Sequence, residues 1–190
     1  MTDLKGIFDK EGDHGLYTYK HKHEKELLEA AKAELAKCPT GEYQVKVVDV
    51  QDINLNILKG TDQIILVPDG HNVYVTAPAN MSKPNPELIL DIAVGIREAE
   101  HKLLGFKIPD EETDPKGHQL QNHSLQLDLI VHMFKIADEM RNNAGSTVFL
   151  DIINNYGYSS LYKLYEQNVS QEELAGLYLE YTRDNSETGT

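Results

Sequence analysis

The sequence predicts a single α+β domain, in which a small antiparallel or mixed sheet packs against several helices. Three observations carry this prediction. Between about residues 43 and 76, apolar residues alternate with polar ones as in half-buried strands, and this region ends in a β-hairpin pattern. Segments with helical periodicity lie before and after it. A chain of 190 residues suits one ordinary hydrophobic core, so we expect one domain.

The predicted domain covers residues 23–183, with a flexible lead-in at residues 1–22 and a disordered tail at residues 184–190. Its first helix is expected at residues 23–37, because EKELLEAAKAELAK is dense in strong helix formers and the CPTG that follows ends a helix.

The sheet is predicted from two regions of the chain. Residues 43–50, YQVKVVDV, alternate as a half-buried strand does. Residues 64–67 and 73–76, IILV and VYVT, flank the loop PDGHN, whose proline and glycine suit a turn. We therefore expect one strand, a polar connection and then a hairpin.

Helices are predicted over the rest of the chain. Three prolines within residues 78–86 keep the backbone extended before a helix at residues 87–104, and a second long helix is expected at about residues 120–142. Shorter helices follow at residues 147–155, at residues 159–167 and from Ser170, where Glu173 completes a capping box.

Composition and charge exclude several classes of function. The net charge of −13, without a Lys/Arg cluster, disfavours nucleic-acid binding. No apolar run is long enough to cross a bilayer, and no P-loop, G-x-S-x-G or G-x-G-x-x-G motif is present. The single cysteine, Cys38, and the polar N-terminus favour a cytoplasmic protein, although export without a cleaved signal would leave the same pattern.

The stretch GIREAEHKLLG in the first long helix carries the main candidate site. Arg97 and His101 lie in an otherwise apolar row of this helix. Burying these side chains is costly without partners, so the row either meets polar groups from elsewhere or lies at the edge of the domain. The apolar members of the row are Leu90, Val94 and Leu104.

Arg97-Glu98-Ala99-Glu100-His101 differs at one position from H-E-x-x-H, in which two histidines bind zinc and the glutamate acts as general base. Arginine stays protonated and cannot bind a metal, so the first ligand is missing. The same residues match the E-x-x-H half-motif of di-iron bundles, but the second half-motif that such a site needs does not occur.

A second polar pair lies on the next helix, where Asp128 and His132 are four residues apart and share a face. If the two helices pack together, His101, Asp128 and His132 could converge on a metal ion. Arg97 could instead pair with Asp128 in a buried polar cluster. Both arrangements remain open from the sequence.

This order of elements resembles that of compact zincin-like metallopeptidase domains found in bacteria, over about residues 23–142. The resemblance implies that Glu98 and His101 correspond to the glutamate and second histidine of the motif, and that Asp128 corresponds to an acidic third ligand. Arg97 departs from the pattern. The resemblance therefore implies a fold and the location of a cleft, without supporting catalysis.

Two functions follow as hypotheses. The first is a degenerate zincin-like domain without catalysis or cofactor, which binds a protein partner as a regulator or adaptor. The second is a metal-dependent hydrolase or peptidase with His101, Asp128 and His132 as zinc ligands and Glu98 as general base. Tyrosines are favoured in protein interfaces, and six of them lie near the C-terminal end: Tyr156, Tyr158, Tyr162, Tyr165, Tyr178 and Tyr181.

Overall fold

The computed structural model describes residues 14–60 and 63–187, which form helices and a small sheet. The elements in chain order are α1 (His14–Leu35), α2 (Pro39–Val50), β1 (Asn54–Lys59), β2 (Ile65–Leu66), β3 (Asn72–Ala77), α3 (Pro86–Leu103), α4 (Pro115–Ala144), α5 (Val148–Asn155), α6 (Ser159–Glu166) and α7 (Gln171–Glu187). The predicted α+β class is confirmed, whereas the zincin-like layout remains a prediction.

The three strands form a mixed sheet in the order β1-β3-β2. β3 pairs parallel with β1 and antiparallel with β2, so the predicted hairpin is confirmed. Its turn is held by the Asp69 carboxylate, which accepts hydrogen bonds from the backbone N–H groups of His71 and Asn72, both at 2.9 Å. Gly70 supplies the positive φ of 84° that this turn requires.

α3 is the central helix of the domain, packed against the sheet, α1, α2, α4 and α5. Leu90, Ile92 and Ile96 are almost fully buried on it. Gly95 lets the helix approach β3 closely, since a Cβ atom there would lie 2.5 Å from Cγ1 of Val73. The side chains of Arg97 and His101 therefore project from a rigid, well-packed element.

The prediction of a strand at residues 43–50 was wrong, because this segment belongs to α2. Cys38 caps the helix by accepting a hydrogen bond from the Gly41 N–H at 3.4 Å, and Pro39 occupies its first turn. The buried positions are Thr40, Gly41, Gln44 and Val48, which follow helical rather than strand spacing. Gln44 is fully buried, and its amide donates to the Ala93 carbonyl of α3 at 2.7 Å.

Strand β1 lies in the segment that the sequence predicted as a polar connection. Its sequence, NLNILK, has little apolar alternation, and Ile57 is its one buried residue. The long helices predicted at residues 87–104 and 120–142 are confirmed as α3 and α4, and α4 starts earlier, at Pro115, where Asp114 caps it.

The ends of the described chain are helical. α1 begins at His14, within the predicted lead-in, and α7 runs to Glu187, within the predicted tail. Residues 1–13, 61–62 and 188–190 lie outside the described residues. Within the described ranges, no helix combines the length and the apolar character needed to span a bilayer.

Candidate functional site

α3 and α4 bring three of the predicted site residues into direct contact. Asp128 receives two parallel hydrogen bonds from the Arg97 guanidinium, Nε to Oδ2 at 2.8 Å and Nη2 to Oδ1 at 3.1 Å. His101 Nε2 donates to the same Asp128 Oδ2 at 2.7 Å. One carboxylate of α4 therefore provides hydrogen-bond partners for Arg97 and His101, which offset the cost of burying these two side chains.

This cluster keeps Arg97 and Asp128 charged. Burial favours the neutral form of Asp128, but the hydrogen bonds and charges of Arg97 and His101 together outweigh it and hold the pKa of Asp128 below its usual range. The hydrogen bond to Asp128 raises the pKa of Arg97. The His101 ring also packs against Phe106, with 5.5 Å between the ring centroids, which holds it in place.

His132 lies one helical turn after Asp128 on α4 and faces a cleft between α2, α3 and α4. Burial, together with the nearby charge of Arg97, lowers the pKa of His132 to about 4. The imidazole is therefore neutral at neutral pH. Among the described residues its buried Nε2 atom has no hydrogen-bond partner.

Glu100 is a functional candidate that the sequence reasoning missed. It is only 8% exposed, and its Oε2 atom lies 3.5 Å from Arg97 Nη1. That atom makes no hydrogen bond within the described part of the chain. Glu100 occupies a variable position of H-E-x-x-H, and the available signal was its spacing of three residues from Arg97, which allows an ion pair on one helix face.

Arg97, Glu100, Asp128 and His132 line a cleft of about 380 Å³ between α2, α3 and α4. Tyr43 and Lys135 lie among its other lining residues. Glu139 also lines the cleft, and its carboxylate accepts hydrogen bonds from the Thr40 N–H and hydroxyl groups, both at 2.7 Å. This contact ties the first turn of α2 to α4 and fixes the width of the cleft.

Glu98 lies apart from this cluster. It forms an ion pair with Lys102 at 2.9 Å, and the Lys102 ammonium also donates to the backbone carbonyl of Val67 beside the hairpin. Glu98 is not among the residues that line the cleft. A general base at Glu98 would therefore face the sheet side of α3 rather than Asp128.

The cluster does not fit a zinc ion. Both Asp128 oxygens accept from Arg97, His101 Nε2 points at Asp128, and the fixed positive charge of Arg97 lies beside them. Among the side chains that the structure describes, no group of three or more His, Cys, Asp or Glu residues is arranged to hold a metal ion.

A second buried carboxylate lies elsewhere on α3. Asp91 is 6% exposed and accepts a hydrogen bond from the Gln63 amide at 2.7 Å, and the same amide nitrogen donates to the Tyr156 hydroxyl at 2.6 Å. Burial raises the pKa of Asp91 to about 6, against the opposing effect of the Gln63 hydrogen bond. The negative charge of Glu87 raises it further.

Asp91→Asn is expected to stabilise the protein at neutral pH but not in acid. The pKa of Asp91 is higher in the folded state than its usual 3.8, so the wild type loses stability as pH rises from about 4 to about 6. The neutral amide avoids this loss. The stability of D91N relative to wild type should therefore be about 2.5 kcal/mol greater at pH 8 than at pH 4. Urea unfolding at both pH values measures this, and a difference that does not change with pH would contradict it.

No family model, curated protein or solved structure matches this chain. The chemistry of the site is that of a charge-paired cluster of Arg97, His101 and Asp128. Beside it lies a cleft in which two buried atoms, Glu100 Oε2 and His132 Nε2, have no hydrogen-bond partner among the described residues.

Proposed function

We propose that the protein is a non-catalytic binding protein with a degenerate zincin-like domain, and that it acts as a regulator or adaptor in a cytoplasmic complex. The observation that carries this proposal is the paired hydrogen bonding between Arg97 and Asp128. An arginine at the first ligand position engages the carboxylate that would serve as the third ligand. The polar row of α3 then has a structural role, and the adjoining cleft is the binding surface.

The separation of the candidate catalytic groups supports binding over hydrolysis. A hydrolase with His101, Asp128 and His132 as metal ligands would require Arg97 to leave Asp128. It would also require Glu98 to leave Lys102 and reach the metal-bound water. Each change breaks an ion pair, and the first leaves a half-buried guanidinium without its main partner.

Metal analysis of the protein purified without an affinity tag tests the proposal. After incubation with zinc and removal of the excess, we expect no stoichiometric zinc and a melting temperature that does not change with chelator. One bound zinc per chain that is lost in His101→Ala would overturn the binding-only proposal and favour the hydrolase. His71→Ala is the matched control, since His71 is exposed and does not line the cleft.

A further inference from the structure

The deep wall of the cleft holds a carboxylate that has room for one more partner. Glu100 Oε2 is buried, has no hydrogen bond to the described residues, and lies 3.5 Å from the Arg97 guanidinium. A carboxylate can only accept hydrogen bonds, and a buried acceptor left unmet is costly. A group that hydrogen-bonds this atom must be a donor. A cationic donor suits it best, because Glu100 shares the guanidinium of Arg97 with Asp128.

His132 adds a second buried nitrogen to the same cleft. Its Nε2 atom also lacks a hydrogen-bond partner in the described chain, and it accepts a hydrogen bond in the tautomer that carries the proton on Nδ1. The other two carboxylates of the cleft already have donors, Asp128 from Arg97 and His101 and Glu139 from Thr40. Two open acceptors suit an ammonium or guanidinium group, which presents several N–H donors.

Lys135 is the feature that would favour an anion instead. It lines the cleft, is exposed, and has no ion pair among the described residues. Because it is exposed, water already satisfies its ammonium group. Glu100 and His132 are buried, so a hydrogen bond from a bound group stabilises them more than it stabilises the exposed Lys135. A cationic ligand is therefore favoured over an anionic one.

An apolar groove adjoins the cleft. It has a volume of about 550 Å³, lies between α4 and the α6–α7 region, and shares Asp128 and Val131 with the cleft. Its apolar lining comes from Leu127, Val131, Tyr165, Val169, Leu174 and Ala175. A bound segment could therefore place a charged side chain in the cleft and a neighbouring apolar side chain in the groove.

We propose that the cleft binds an arginine or lysine side chain of a partner protein, and that an adjacent apolar residue of that partner packs in the groove between α4 and the α6–α7 region. This inference rests on the proposed binding function and names the chemistry of the partner. The net charge of −13 also attracts a basic segment over a distance and accelerates its association.

Titration of the full chain with the capped dipeptide acetyl-Leu-Arg-amide tests the inference, with binding followed through the NMR signals of the His132 ring. The control peptide replaces arginine by citrulline, a neutral analogue of nearly the same shape. We expect the arginine peptide to shift the His132 signals and to bind about tenfold more tightly than the citrulline peptide, because the charged hydrogen bond to Glu100 is lost in the control.

Two variants with opposite expected effects make the test specific. Glu100→Gln should weaken binding of the arginine peptide about tenfold, with circular dichroism verifying that the variant is folded. Lys135→Glu changes an exposed position and should strengthen binding severalfold, because a repulsive charge becomes attractive. The second variant keeps the inference testable if Glu100→Gln does not fold.

The possible failures are distinguishable. Equal binding of the arginine and citrulline peptides would overturn the inference of a cationic partner. Preferential binding of acetyl-Leu-Glu-amide that Lys135→Glu abolishes would overturn it too. Both results would leave the proposed binding function intact. Stoichiometric zinc in the wild type would overturn the proposed function itself.

Discussion

Replacing Arg97 by histidine is expected to give a protein that binds one zinc ion per chain. The variant completes H-E-x-x-H by placing a neutral imidazole one helical turn before His101. It also frees the Asp128 carboxylate, whose oxygens accept from Arg97 Nε and Nη2 in the wild type. Two imidazoles and one carboxylate are a sufficient protein ligand set for zinc, with water in the fourth position.

The same variant should show a stability that depends on metal. Without zinc, loss of the guanidinium leaves Asp128 and Glu100 without their cationic partner and should cost about 2 kcal/mol. Zinc at a hundred times its dissociation constant should return about 2.7 kcal/mol. Thermal unfolding with and without chelator, together with elemental analysis, measures both effects.

Arg97→Met is the matched control for this experiment. It removes the same ion pair without adding a ligand, so it should lose stability and gain no response to zinc. The double variant R97H/H101A should likewise lose the zinc. If R97H remains metal-free while folded, α3 and α4 do not have the zincin-like geometry, and that part of the proposal fails.

Replacing Gly41 by alanine is expected to destabilise the protein by about 3 kcal/mol, at the upper end of the range for overpacking. A Cβ atom at this buried position of α2 would overlap the carbonyl oxygen of Leu35 and lie 2.7 Å from its carbonyl carbon. Because the obstacle is the backbone, no side-chain rotation relieves it. Since α2 carries Thr40 and Tyr43, the cleft should also lose its shape.

Gly176→Ala supplies the control for Gly41→Ala. Gly176 lies exposed within α7, and a Cβ atom there meets nothing within 4 Å. Alanine should raise the stability by about 0.5–1 kcal/mol through its higher helix propensity. Urea unfolding of both variants measures the contrast, and equal effects would show that the close approach at Gly41 is unimportant.

Local signals predicted most helices and the hairpin correctly. The apolar stripe of α3 predicted its extent, and Ser170 caps the start of the last helix by accepting from the Glu173 N–H at 3.2 Å. The turn residues around Gly70 predicted the hairpin between β2 and β3. These features depend on neighbouring residues along the chain, which is the information that periodicity and capping patterns carry.

Two segments were misassigned because tertiary contacts outweighed local preference. Residues 43–50 have strand-like valines, yet α2 forms because Cys38 and Pro39 start a helix and the buried Gln44 bonds to Ala93 on α3. β1 has little alternation, and it is a strand because β3 supplies its hydrogen bonds. Ala93 is distant in sequence from Gln44, and β3 is distant from β1, so neither contact falls within the short window of residues that sequence patterns sample.

The candidate site was foreseen in part. The pairing of Arg97 with Asp128 was one of two arrangements that the sequence left open, and the structure has this contact. Glu98 was expected beside the metal ligands, but it pairs with Lys102 near the hairpin. Glu100 was missed because its burial depends on how α2 and α4 cover α3, which helical spacing does not specify.

Side-chain chemistry establishes without any structure that residue 97 cannot be a metal ligand, because a guanidinium keeps its proton and its charge in any environment. Only packing determines which groups meet that charge. Asp128 lies 31 positions further along the chain, and the association of α3 with α4 brings it to Arg97 and His101. The same association buries Glu100 and leaves its Oε2 atom without a hydrogen bond among the described residues, because burial and pairing depend on contacts between elements rather than on the order of residues within one.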